Sequence, residues 1–379
     1  MYKRGILTIA LLLISAPLLL GQTWSSPNRL TWNSGSSDYP EIVIDSNNHL
    51  HVIWVDDTFG NDELLYKKST NGGLKRLTWT SSESRFPSAV IDSRDNIHVV
   101  WIEKASEIDP AEIFYKKSTD TGSTWSAPKR LTFNTGDTFQ PCIRADSNNR
   151  LYVVFHDYTS GNAEVYFKKS TDSGSTWTAM KRLTWNSGAS IFPTIAVDSN
   201  DNIRLTWVDT SSGNTEVYYK YSLDKGSSWS ALKRLTWNSG ISTRPFVITD
   251  SSNKIHVFWD DDTPGRREIY YKNSSDGGLT WSGLKRLTWT TGHSQEANVA
   301  VGPGTNHLYL VWHDFTNNSE IYFKDSTNGG TTWLPLKRIT WNSGLTFHTN
   351  VKVDSNQYVH LVYDDNGPGN YEIFYRSRK

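Results

Sequence analysis

The phrase KRLTWNSG, Lys181 to Gly188, recurs with small changes along this chain. Its aromatic falls at Trp32, Trp79, Phe133, Trp185, Trp237, Trp289 and Trp341, at intervals of 47, 54, 52, 52, 52 and 52 residues. A fixed period near fifty marks a repeat architecture, in which each unit buries its faces only against its neighbours. Seven such units occupy residues 22–379 and leave no room for a second domain.

Each unit reads as four short strands. In the fifth, RPFVITD (Arg244 to Asp250) and IHVFWDD (Ile255 to Asp261) are apolar for most of their length, as expected of strands buried on both faces. EIYYKNS (Glu268 to Ser274) is aromatic and β-branched, and LKRLTW (Leu284 to Trp289) ends the unit. The turns between the first two strands carry Asp-Ser-Asn runs such as Asp45 to Asn48 and Asp198 to Asn202, residues that tolerate a left-handed backbone. Four strands per unit and seven units predict an all-β chain, a single seven-bladed β-propeller. The last unit stops at Ser377-Arg378-Lys379, whereas the N-terminal segment begins Thr23-Trp24 and runs on to Arg29-Leu30-Thr31-Trp32. That segment supplies the fourth strand the last unit lacks, so it is expected to pair with Tyr371 to Arg376 and close the ring.

Residues 1–21, MYKRGILTIALLLISAPLLLG, place Lys3 and Arg4 before an apolar run and a small residue, the pattern of a secretory signal peptide. The run is short for a membrane span and contains Pro17, so contact with a membrane is expected only if that segment stays uncleaved. The reading is therefore a secreted or cell-surface monomer. Lys plus Arg and Asp plus Glu balance at 39 each, which leaves no overall positive field for nucleic acid. Cys142 is the sole cysteine and cannot form an internal disulfide; in the run PCIRAD it reads as a buried thiol, not a nucleophile. Most of the 17 Trp and 18 Tyr fall at repeated positions and read as core or turn residues.

A second phrase, STDTGSTW, occupies Ser118 to Trp125 and recurs at Ser170 to Trp177, Ser222 to Trp229, Ser274 to Trp281 and Ser326 to Trp333; a short form, STNGG, stands at Ser69 to Gly73. Asp and Ser side chains can bond the backbone of a tight turn, Gly takes a positive φ, and the Trp packs beneath. The phrase is similar to the Asp-box, or BNR repeat, of sialidases and related propellers. That resemblance implies a structural role for Asp120, Asp172, Asp224, Asp276, Trp125, Trp177, Trp229, Trp281 and Trp333, on the face away from any active site. Sialidases need more than the fold: three arginines on the substrate carboxylate, a Tyr polarised by a Glu, and an Asp for the leaving group. Their Phe/Tyr-Arg-Ile-Pro signature is incomplete here, with Arg85-Phe86-Pro87 approaching it in altered order. The arginines to weigh are Arg85, Arg144, Arg204, Arg244, Arg266 and Arg267. Connections are short and the largest insertion, Lys104 to Glu112, adds two residues, so a binding role is preferred to catalysis.

On the opposite face two features recur. Acids at Asp56, Glu103, Asp157, Asp209, Asp261, Asp314 and Asp365 each follow an aromatic by two residues, and a Glu follows later in every unit, from Glu63 to Glu372. They offer either one shallow sugar pocket per blade or an internal polar network. The residue before the recurring proline position varies instead: Tyr39, Phe86, Gln140, Phe192, Arg244, Glu296 and His348. These should ring the mouth of the central channel, with Arg244, Glu296 and His348 forming a polar arc; Tyr39, Gln140 and Arg85 complete the candidate set. No cofactor is expected, and calcium fits the Asp-rich turns poorly because they lack the Gly and distal Glu of an EF-hand. The expected partner is an extracellular glycan or protein. A sialidase-like glycoside hydrolase and a docking platform are the alternatives.

Overall fold

The computed structural model describes residues 23–70, 72–104, 109–316 and 318–379. The leader at 1–21 and part of the insertion after Lys104 lie outside the described residues. The chain forms seven four-stranded antiparallel sheets. Blade 1 comprises Ser37–Ile44, Leu50–Asp56, Glu63–Lys68 and Lys75–Arg76, and blades 2 to 6 repeat that order along the chain. In blade 7 the outermost strand, Asn28–Arg29, comes from the other end of the chain and pairs with Glu372–Arg378, Asn28 facing Tyr375. Ser25 N–H and Leu30 N–H donate to Ser377 O and Ile373 O, both at 2.7 Å, and Trp24 packs edge-on against Phe323 at 5.4 Å. Both ends of the chain thus share blade 7, and among the described residues the only outer edges are the two-residue fourth strands.

The first and second strands bury both faces because Val, Ile, Leu and Trp stand at successive positions, and the core consists of clusters that each bridge two blades. The fourth strand is shorter than LKRLTW suggested: only Lys-Arg joins the ladder. The threonine that follows ends it. In blade 1, Leu77 N–H still bonds Leu64 O at 2.7 Å, but Leu64 N–H takes Thr78 Oγ1 at 2.8 Å, so a side chain replaces the next backbone partner.

The STDTGSTW turn joins blades. Ser118 Oγ accepts from Gly122 N–H at 2.8 Å, while Asp120 holds Thr124 through its N–H at 2.8 Å and its hydroxyl at 2.6 Å. Trp125 then sits edge-on to Tyr66 of the preceding blade at 5.2 Å. Gly122, at φ +85°, lies so close beneath the Tyr66 hydroxyl that a Cβ would overlap it at 1.7 Å.

Candidate functional site

The first strand of every blade faces the central channel, and every one carries a register slip near its start, as between Asp38 and Glu41. The residue in the slip takes a left-handed backbone: Tyr39, Phe86, Gln140, Phe192, Arg244, Glu296 and His348 have φ between 42° and 59°. Such φ values are uncommon outside glycine. The bulge turns each of these side chains toward the cavity that opens at the channel mouth, which all seven line.

Sevenfold symmetry ends there. Blades 2 to 4 contribute Phe86, Gln140 and Phe192, and Gln140 Oε1 is buried with no hydrogen-bond partner among the described residues. Blades 5 to 7 contribute Arg244, Glu296 and His348, with Arg244 Nε 3.3 Å from Glu296 Oε1. Tyr39 of blade 1 closes the arc, its ring 3.9 Å from the imidazole of His348 and 4.9 Å from Phe86. Aromatic walls stand beside the arc, where Phe315, Phe347 and Tyr371 line an adjoining hollow.

A second rank of charged groups sits behind the first. Arg244 Nη1 lies 3.5 Å from Asp260 and donates to Gln295 Oε1 at 3.0 Å; Arg267 donates to the same oxygen at 3.1 Å. His348 Nδ1 is 2.7 Å from Asp364 Oδ2, and His313 Nδ1 is 3.8 Å from Glu296 Oε2. Burial works against a charged His348, but Asp364, Glu296 and Asp38 outweigh it and push the imidazole up to about 9, so it is a cation at neutral pH. His313 goes the other way: burial lowers it to about 4, and it stays neutral. Burial raises Asp38 and Asp260 to about 7 each, with Asp364 adding to the first and Arg244 opposing the second. Burial also opposes a charged Glu296, yet His313, His348 and Arg244 hold its carboxyl below the usual range. Deeper in the same cavity lie Glu41, Arg144 and Lys352, and burial brings the Lys352 amine down to about 8 despite Glu41.

Asp260, His313 and Asp364 escaped the sequence reading. Each is the middle residue of an aromatic-x-acid triplet, between two recurring positions that drew the attention. The signal was there: the same place holds Val55, Ile102 and Val208 in blades 1, 2 and 4, and only blades 5 to 7 put two acids and a histidine in it, with His156 in blade 3.

The other candidates lie elsewhere. Arg85 pairs with Asp62 and is 3.5 Å from Glu83, outside the cavity lining. Arg204 is buried on Asp198 and Gly277 O, and Arg266 bonds the carbonyls of Thr290 and Thr291. Among the described residues, therefore, Arg244 and Arg267 share the Gln295 acceptor, whereas Arg144 lines the same cavity as Arg244 from deeper in the channel and donates to Ile143 O at 2.7 Å. The per-blade acids Asp56, Asp157, Asp209, Asp261, Asp314 and Asp365 are buried, so they form a polar network and not open pockets. In blade 1, Asp56 accepts from Ser37 Oγ at 2.8 Å, Asn33 Nδ2 at 2.5 Å and Trp54 Nε1 at 3.2 Å. The Asp-rich turns are likewise satisfied internally, Asp45 Oδ1 accepting from Asn47 N–H and His49 N–H. Cys142 is buried in the channel wall below Gln140. The core-or-turn reading of the repeated aromatics divides here: the frame aromatics are not core residues. Trp32, Trp79, Phe133, Trp185, Trp237, Trp289 and Trp341 are 66–76% exposed, because each follows the two-residue outermost strand, beyond which no further layer covers it.

No protein-family model and no curated protein matches this chain. Among solved structures, the chain is similar to a PL25 ulvan lyase bound to -[GlcA(1-4)Rha3S]-, with a TM-score of 0.62 and 12% identity over 92% of this chain and 95% of that one. It is also similar to the intramolecular trans-sialidase of Ruminococcus gnavus (0.60, 13% identity, 78% and 95% covered). The NanB sialidase of Streptococcus pneumoniae gives 0.57 at 10% identity over 95% and 93%. At such identities the likeness establishes the fold, shared with sialidase-like and polysaccharide lyase propellers.

Proposed function

We propose that this chain is a glycan-binding propeller whose channel mouth takes an acidic sugar. The observation that carries the reading is the break in symmetry: where blades 2 to 4 put Phe86, Gln140 and Phe192 at the mouth, blades 5 to 7 put Arg244, Glu296 and His348 there, beside aromatic walls. Arg244 offers a planar fork to a carboxylate or sulfate, His348 adds a second cation, and Tyr39, Phe315 and Phe347 offer faces to sugar C–H surfaces. Neighbours of the same fold named as sialidases, and one named as a lyase bound to a glucuronate-containing chain, support the acidic-sugar class. The STDTGSTW turns support a place among Asp-box propellers, and the leader at 1–21 supports work outside the cell, as a monomer.

A glycan array that includes sialylated, uronate and neutral glycans, read with and without calcium, tests the reading. Selective binding of acidic glycans, lost in Arg244→Ala, supports it; silence from a folded protein overturns it. Hydrolysis is a second reading. It is favoured by Asp38, a carboxyl held protonated to near neutrality next to Tyr39, and weakened because Arg144, bonded to Ile143 O, does not share the Gln295 acceptor of Arg244 and Arg267. Release of sialic acid from a sialoside would establish it.

A further inference from the structure

The exposed frame aromatics do not stand alone. Five of them have an ammonium from the next blade over the ring: Lys67 on Trp32, Lys116 on Trp79, Lys220 on Trp185, Lys272 on Trp237 and Lys324 on Trp289, at 5.2–5.8 Å from the ring centroid. Lys116 is buried and the other four are half-buried, and they tie blades together, as Lys220 does by donating to Leu183 O at 2.8 Å. None has a carboxylate within ion-pair distance among the described residues. The Lys-Arg pair of the fourth strand adds further cations: Lys181 donates to Ser227 O at 2.6 Å, again without a carboxylate, whereas Arg182 pairs with Glu164. The zero net charge of the chain therefore hides a belt. Each fourth-strand arginine pairs with a Glu of its own blade, so the belt's cations without a carboxylate partner among the described residues are its lysines, up to two per blade and about a third of the 39 Lys and Arg.

Between blades 1 and 2 the belt deepens into a groove lined by Lys75, Arg76, Trp79, Lys116, Thr124 and Trp125. Its open indole face, unpaired ammoniums and hydroxyl group match a sugar ring bearing an acid group. We propose that the outer belt is a second, multivalent binding surface for an acidic polysaccharide, distinct from the channel mouth.

A polymer is the occupant because each site is shallow and offers one aromatic face. A single saccharide gains little there, whereas a chain with repeating acid groups gains by effective concentration at successive blades. Nucleic acid fits less well, since consecutive bases need adjacent stacking platforms and here one aromatic stands per blade.

The test is affinity electrophoresis of the protein in gels holding polygalacturonate, dextran sulfate, neutral dextran or poly(dT). Retardation by polygalacturonate or dextran sulfate, weakened by salt and absent with dextran, is expected. One Trp→Ala change, such as Trp185→Ala, should weaken binding less than about threefold, and alanine at all seven belt positions about a hundredfold or more. Phe at every position should keep most of it, since position 133 already carries Phe; this second variant separates lost stacking from lost folding. The proposal falls if the folded all-alanine protein is retarded like the wild type, if no polyanion retards the wild type, or if poly(dT) does so better than both acidic polysaccharides. Binding of small acidic glycans to the array should survive in the all-phenylalanine protein, so failure at the belt is separable from failure at the mouth.

Discussion

Arg29→Ala isolates how firmly the ring is closed. Arg29 Nη2 lies 2.5 Å from Glu372 Oε1, and its Nε donates to Thr31 O at 2.6 Å. The Glu372 side chain is fully buried, while Arg29 is 27% exposed. Removing one partner of a buried pair costs about 3–5 kcal/mol, because the remaining charge is stranded. Water reaches the arginine side, which favours the lower end, roughly 3 kcal/mol. For a chain of this length that is a fall of roughly 4 °C in Tm, at about 1.3 °C per kcal/mol. The repeat supplies its own control. Arg182 makes the same two contacts in blade 4, at 2.7 Å to Glu164 and 2.6 Å to Thr184 O, with its partner 18 residues away where Glu372 is 343 residues from Arg29. Guanidinium chloride unfolding of Arg29→Ala and Arg182→Ala should therefore give equal losses with an unchanged m-value. Arg29→Ala combined with Glu372→Gln should recover part of the loss, since no charge is then stranded. A loss under about 0.5 kcal/mol for Arg29→Ala beside roughly 3 kcal/mol for Arg182→Ala would refute the closed ring.

Deleting residues 23–32 removes that pair together with the Ser25 and Leu30 backbone bonds and the Trp24 packing, so the melting temperature should drop well beyond that of Arg29→Ala; an unchanged melt would contradict the pairing. Gly226→Ala should destabilise by more than about 2 kcal/mol, since its Cβ would meet the Phe167 ring at 2.4 Å, whereas Gly161→Ala, with nothing within 4 Å, should cost only the φ strain of about 1 kcal/mol; equal thermal shifts would show that the blade contact is absent. Affinity of the mouth for an acidic glycan should fall as pH rises through about 7, where Asp38 and Asp260 gain negative charge, and fall again through about 9, where His348 loses its positive charge. Titration calorimetry from pH 5 to 10 checks this, and a flat profile would remove those groups from the site. Arg244→Ala should lower that affinity at least tenfold at pH 6 without moving the melting temperature by more than a few degrees, because Asp260, pushed up to about 7, is mostly protonated there and no buried charge is stranded; a large melt shift would mean a structural arginine.

The propeller was legible because its period is carried by residues with fixed physical duties: apolar runs for the inner strands, Asp-Ser-Asn for the turns, Lys-Arg for the edge. Closure was legible from the mismatch between Ser377-Arg378-Lys379 and Thr23-Trp24. The mouth ring could be read because it varies where everything around it repeats, although the backbone strain that aims those side chains left no trace in residue type; Tyr39, Phe86 and Arg244 do not announce a positive φ as glycine would. Two things were not legible. Asp260, His313 and Asp364 hid between recurring neighbours, and their role appears only in the fold, where Glu296 N–H of the next blade reaches Asp260, His313 lies beside the Glu296 carboxylate, and Phe347 N–H of the facing strand reaches Asp364. The exposure of the frame tryptophans was not legible because an aromatic in every repeat suits a core or a turn position alike. Whether such a residue is covered depends on what lies beyond the edge strand, which is a matter of architecture and not of local pattern.

The strand borrowed from the other end of the chain also sets direction. Thr23 approaches blade 7 beside Ser377, at the end of the sheet where the other blades carry their STDTGSTW turns, so the chain leaves the ring on the side turned away from Tyr39, Arg244 and His348. Anything tethered ahead of Thr23 would hold the ring as a stem holds a cup, with the channel mouth opening outward and the exposed aromatics around its side.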